Sequence, residues 1–166
     1  PQKLSSRTCD VLFEPRVARS LVGHFSGAVN GAAIARKTSF LKDAMDSRVF
    51  AGNIRITDDP RKPRSPATRP FDGEGCAAKP LTMVEGGVLK HWFLDHATAR
   101  ELGLKSNGRA VRGGAGPSPG ATNLTLQPGS RSPEEMMKDF DRGLLVTDLI
   151  GHGVNGVTGD YSRGAS

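Results

Sequence analysis

The chain has 166 residues, enough for one domain with its own hydrophobic core. Its 23 lysines and arginines exceed its 17 aspartates and glutamates, but they are scattered, so a nucleic-acid partner is disfavoured. Two cysteines exclude a disulfide framework, and no apolar run approaches the roughly 18 residues of a membrane span, so we expect a soluble, cytoplasmic protein.

The first third of the chain is predicted to contain a strand, a helix and a second strand. The first strand covers residues 9–13, and Pro15 suits the first turn of the helix because its fixed φ is already helical. The second strand covers residues 54–57 and precedes a loop rich in proline and arginine over residues 58–70. The helix is predicted from apolar residues at helical spacing, at Val17, Leu21, Phe25, Val29 and Ala32.

Three glycines, Gly23, Gly27 and Gly31, recur four apart along the same predicted helix. Glycine inside a helix costs up to about 1 kcal/mol relative to alanine, so three of them suggest a use. They predict a smooth ridge on which another backbone can lie close. Plain tight packing within the chain is the simpler interpretation.

The middle third is predicted to form a hairpin and a short helix. The Gly86-Gly87 pair separates strand patterns over residues 81–85 and 88–94, which predicts a type I′ turn. Asp95 is predicted to cap a helix over residues 96–102, and a glycine follows that helix as a stop signal.

The last third is predicted to begin with a long loop over residues 107–121, which contain five glycines, two prolines and no apolar period. A strand at residues 124–126 follows, then a helix over residues 132–140 that opens with a capping box. Residues 144–150 are predicted to be a buried strand, and Tyr161 lies in a further strand. The mixture of hairpins and short helices indicates an α+β fold.

Two motifs that point to catalytic or binding sites lack the context they need. Residues 151–156 match G-x-G-x-x-G, but no helix follows to hold a pyrophosphate, so no dinucleotide site is predicted. A zinc-binding helix carries two histidines four apart with a glutamate beside the first, and no histidine pair here has that spacing. The four histidines are His24, His91, His96 and His152. The residues alone therefore predict neither a catalytic residue nor a metal ligand.

One turn-rich segment, residues 69–75, combines a guanidinium with two carboxylates, those of Arg69, Asp72 and Glu74. Two carboxylates beside one guanidinium could orient a peptide backbone or do acid–base work. The alternative is a solvated loop with a local ion pair worth about 0–1 kcal/mol. We expect the three side chains to face a peptide path or a partner interface.

Several segments follow one another in an order that resembles one protein family. They are residues 13–16, 30–33, 37–40, 69–75, 97–104, 122–124 and 159–166. The most specific are Arg-Pro-Phe-Asp-Gly-Glu-Gly and Gly-Asp-Tyr-Ser-Arg-Gly-Ala-Ser. Together they resemble the PmbA, or TldE, branch of the TldD/PmbA metallopeptidase family over nearly the whole chain. By this resemblance Asn123 and Asp160 are further candidates for the peptide path or interface.

The resemblance implies a mixed, largely antiparallel, barrel-like sheet with short helices. Residues 1–166 then correspond to part of the C-terminal domain of such a protein. We expect the domain to be truncated here, with its final strands and the whole N-terminal domain absent from the chain.

The resemblance also implies where a zinc site has been lost. In the TldD branch a helix carries H-E-x-x-x-H, and a later cysteine completes the zinc site. Aligned on Asn30 and Gly31, the matching positions are Val22, Gly23 and Gly27, and none of these side chains can bind zinc. We therefore expect no cofactor in this chain, and a packing ridge of Gly23, Gly27 and Gly31 at the lost zinc site.

The implied function is that of a zinc-less, non-catalytic subunit of a heterodimeric metallopeptidase that processes unfolded or modified peptides in bacteria. The expected partners are a TldD-like subunit, which carries the zinc, and a peptide substrate. Two alternatives stay open: a metallopeptidase that is active alone, and a basic regulator associated with gyrase or nucleic acid.

Overall fold

The structure, a computed structural model, describes residues 5–114 and 116–166. The described residues form four helices: α1 (Pro15–Ala28), α2 (Gly31–Ala35), α3 (His96–Glu101) and α4 (Pro133–Met137). Their strands are β1 (Asp10–Phe13), β2 (Ile56–Asp58), β3 (Leu81–Glu85), β4 (Val88–Leu89), β5 (Ala110–Gly113), β6 (Gly116–Pro119), β7 (Leu124–Leu126), β8 (Gly143–Val146), β9 (Leu149–Val154) and β10 (Tyr161–Ala165). The predicted α+β class is confirmed.

The strands are divided among four sheets in the described part of the chain. The largest has the order β4-β3-β2-β7 and is antiparallel throughout, with Thr57 facing Thr82 on one side and Thr125 on the other. Strands β5 and β6 form an antiparallel hairpin, as do β9 and β10. Strand β1 pairs with β8 in parallel, which joins two distant parts of the chain. The sheets are thus largely antiparallel, as predicted.

The hydrophobic core lies between α1 and the four-stranded sheet. Phe25 and Ala28 of α1 pack in one cluster with Ile56, Met83 and Val84 of the sheet. Apolar side chains on one stripe of a helix must be buried against another element, and burial of each large one contributes about 1.5–3 kcal/mol. The apolar stripe predicted to begin at Val17 is therefore confirmed up to the end of α1.

The single long helix predicted through Ala32 is wrong, because α1 ends at Ala28. Val29 accepts a hydrogen bond from the backbone N–H of Phe93, and Gly31 donates one to the carbonyl of Phe93. Between them Asn30 is extended, and its side chain caps α2 by accepting from Ala32 N at 2.9 Å. A long-range backbone pairing thus interrupts the helical pattern and places Gly31 on a different helix from Gly23 and Gly27.

Two predictions for the second half of the chain also need correction. The expected loop over residues 107–121 contains the β5–β6 hairpin, in which two prolines are tolerated because a two-stranded sheet consists of edge strands. Ala115, within that predicted loop, lies outside the described residues. The expected buried strand over residues 144–150 is two strands, β8 and β9, and Leu144 and Leu145 are 49% and 52% exposed. The carboxylate of Asp148 accepts from Leu149 N between them and interrupts the strand.

The local turn and cap predictions are confirmed. Gly86 and Gly87 have φ of 55° and 78°, as a type I′ turn requires, although β4 is shorter than expected. Asp95 caps α3 by accepting from Thr98 N at 2.8 Å, and the capping box of α4 is complete. The G-x-G-x-x-G match lies in the β9–β10 hairpin and is followed by a strand, as expected. Among the described residues, none of the helices has the length and apolar character needed to span a membrane.

Candidate functional site

A cavity of about 630 Å³ lies beside α1, on the side where that helix carries its glycines. Its walls come from α1, from the segment after α2 and from the turn of the β9–β10 hairpin. The apolar part of the lining includes Leu21, Phe25, Phe40, Leu41, Val49 and Phe50. A volume in the range of about 300–1,000 Å³ with a mostly apolar lining is typical of ligand pockets, so we take this cavity as the candidate site.

Gly23 and Gly27 are two of the residues that α1 contributes to the cavity wall. A Cβ atom built on either glycine meets no other heavy atom within 4 Å, so each faces open space. Gly31 differs, because a Cβ there would lie 2.5 Å from the carbonyl oxygen of Phe93. Close packing therefore explains Gly31, whereas Gly23 and Gly27 leave room next to the helix.

His24 and Tyr161 place two polar rings at the edge of the cavity. The ring centroids are 5.7 Å apart and the planes meet at 69°, the edge-to-face arrangement that aromatic rings prefer. The Nε2 atom of His24 is buried and has no hydrogen-bond partner among the described residues. Sequence reasoning missed both rings as cavity residues, because the contact joins α1 to a strand more than 130 positions later.

The cavity lining carries no carboxylate, ammonium or guanidinium in the part of the chain that the structure describes. Its polar side chains, besides the two rings, are Thr38 and Asn155. An ionised ligand would lose its hydration here without gaining an opposite charge, which is unfavourable by several kcal/mol. The lining therefore suits an uncharged, largely apolar group.

The helix positions that the resemblance assigns to a zinc site do not fit a metal. Val22, Gly23 and Gly27 offer no side-chain donor, and His24 beside them is one imidazole where zinc needs three or four ligands. Within residues 5–114 and 116–166 no group of three or more His, Cys, Asp or Glu side chains could hold a metal ion. We therefore derive no metal-dependent step from this chain.

Asp72, expected to face a peptide path, has a structural role in its own loop. It is 4% exposed, and its carboxylate accepts hydrogen bonds from the backbone N–H groups of Glu74, Cys76 and Ala110. Three such bonds tie the turn at residues 72–76 to β5, so the side chain is not free to contact a peptide. The expectation for Asp72 is therefore corrected.

Glu74 connects the same loop to α3. Its carboxylate accepts from His96 N at 2.9 Å and lies 2.8 Å from His96 Nδ1. The Sγ atom of Cys76 is 3.7 Å from His96 Nε2 and nearly as close to Nδ1. Partial burial raises the pKa of the Cys76 thiol, and the carboxylates of Asp72 and Glu74 raise it further, so the thiol is protonated at neutral pH and is a poor nucleophile.

Asn123 and Asp160, two further predicted site residues, each make hydrogen bonds within a loop or turn. Asn123 holds the proline-rich loop by donating to Asp59 O at 2.8 Å and accepting from Ala67 N at 3.2 Å. Asp160 is exposed and accepts from the hydroxyl of Thr158 in the β9–β10 turn. Asn123 also donates to the hydroxyl of Thr68 at 3.2 Å, next to Arg69 in the chain. The role of these residues in binding stays a prediction.

The structure contains a buried ion pair that the sequence did not indicate. Arg109 and Asp58 are both fully buried side chains, with Arg109 Nε donating to Asp58 Oδ2 at 2.5 Å. The other guanidinium nitrogens donate to backbone carbonyls, including that of Lys79 at 2.7 Å. Asp58 also accepts from the backbone N–H and the hydroxyl of Thr122. Arg109 lies in the segment predicted to be a loop, where a scattered arginine carries no signal of burial.

Comparisons with known proteins decide the family. The PmbA/TldA metallopeptidase C-terminal domain matches residues 6–166. The chain belongs to the PmbA/TldD metallopeptidase family. It is 37% identical to the metalloprotease PmbA of Escherichia coli O157:H7 and 37% identical to a PmbA homologue of Haemophilus influenzae, in each case over the whole chain and 35% of the relative. The chain thus spans about a third of the length of these relatives.

Solved structures of the family share the fold. A protein from Thermotoga maritima whose name refers to modulation of DNA gyrase matches 99% of the chain and 38% of its own length, with a TM-score of 0.85 and 30% identity. TldE from Thermococcus kodakarensis matches 87% of the chain and 33% of its own length, with a TM-score of 0.74 and 26% identity. The family resemblance stated from the sequence is therefore confirmed.

Proposed function

We propose that this chain is part of a PmbA/TldE-type subunit that supports peptide cleavage without supplying the metal. The observation that carries the proposal is α1, which lines the cavity of about 630 Å³ and has Gly23 and Gly27 where the resemblance places metal ligands. Zinc-dependent peptidases need imidazole or carboxylate ligands and a general base, and this helix has neither at those positions. The names of the relatives, metalloprotease PmbA among them, support peptides as the substrate class.

The zinc is proposed to reside in a second, TldD-like chain, with which this subunit forms a heterodimer in the cytoplasm. Unfolded or modified peptides are the proposed substrates. A solved structure named TldE among the similar folds supports the assignment of this chain to a TldE-type subunit. Arg69, Glu74, Asn123 and Asp160 remain the candidates for contacts with the peptide or the partner.

The test compares peptide cleavage by the intact protein, by a TldD-like chain carrying H-E-x-x-x-H, and by the two together. We expect cleavage from the mixture and weak or no cleavage from either chain alone. The matched control is a TldD-like chain whose motif glutamate is changed to glutamine, which should form the complex but cleave nothing. If the present protein alone cleaves peptides at the rate of the mixture, it is an independent peptidase and the proposal is wrong.

A further inference from the structure

We draw no further inference here: the strongest candidate, the side-chain cluster of Cys76, Glu74 and His96 that joins the turn at residues 72–76 to α3, rests on a lone cysteine whose Sγ lies 3.7 Å and 3.9 Å from the two nitrogens of the His96 ring, and nothing in the described residues points to a ligand there.

Discussion

Replacement of Arg109 by methionine tests how much the buried ion pair contributes to folding. The guanidinium and the carboxylate of Asp58 are each 0% exposed, and five hydrogen bonds from Arg109 reach Asp58 and neighbouring carbonyls. Burial lowers the pKa of Arg109 and the charge of Asp58 opposes that shift, yet an arginine remains charged at neutral pH. Methionine fills similar space without the charge, so it leaves Asp58 as an uncompensated buried anion.

The size of the effect follows from what remains bonded. Removing one partner of a buried ion pair costs about 3–5 kcal/mol, because the other charge keeps its desolvation penalty. Asp58 still accepts from the backbone N–H and hydroxyl of Thr122, each at 2.8 Å. These two bonds place the expected loss at the lower end, about 3 kcal/mol, a large fraction of the roughly 5–15 kcal/mol that stabilises a typical protein.

The assay is urea denaturation of the intact protein, followed by far-ultraviolet circular dichroism, with the free energy of unfolding extrapolated to water. The matched control is Arg112→Met, because Arg112 is exposed and its Nε donates to Gly73 O at 3.0 Å. We expect that change to cost about 0–1 kcal/mol. If Arg109→Met costs no more than Arg112→Met, the buried pair is not a stabilising element and the reasoning fails.

Three further predictions concern the glycines, the thiol and the metal. Gly31→Ala should destabilise the protein by about 1–3 kcal/mol, because its Cβ would lie 2.5 Å from Phe93 O. Gly23→Ala has open space around its Cβ and should stabilise the protein by up to about 1 kcal/mol. Equal effects of the two changes on the free energy of unfolding in urea would contradict this. Folding raises the pKa of the Cys76 thiol above 9.0, so the folded protein holds this proton to a higher pH than the unfolded chain does. The stability that the thiol contributes is therefore lost as the pH rises past 9.0. The free energy of unfolding should fall between about pH 8 and about pH 10 in the wild type, and should fall less in Cys76→Ser. An equal fall in both proteins would refute this prediction. Metal analysis of the dialysed intact protein should find no bound zinc, and one tightly held zinc per chain would disprove the loss of the site.

Local signals carried most of what could be predicted about secondary structure. The turn at Gly86-Gly87, the cap at Asp95 and the capping box at Ser132 are confirmed, because a turn or a cap depends on residues within four positions of each other. The β5–β6 hairpin was missed because it does not depend on such local signals. Its glycines and prolines carry no strand signal, and the pairing between its two strands makes the strand.

The candidate site was predictable only in part. The helix and its glycines are visible in the sequence, and so is the absence of metal ligands at Val22, Gly23 and Gly27. The role expected for Asp72 was wrong, since a carboxylate beside glycines can serve a peptide or its own backbone, and only the coordinates show three N–H groups bonded to it.

The sequence by itself determined the family and the α+β class, because these depend on which residues are present and in what order. Only the tertiary structure decided that Gly31 belongs to a second helix, that Arg109 is buried against Asp58, and that a cavity opens beside Gly23 and Gly27. Each of these depends on contacts between residues far apart in the chain. The backbone bonds between Phe93 and the end of α1 are the clearest case, because they end a helix that the local pattern would have continued.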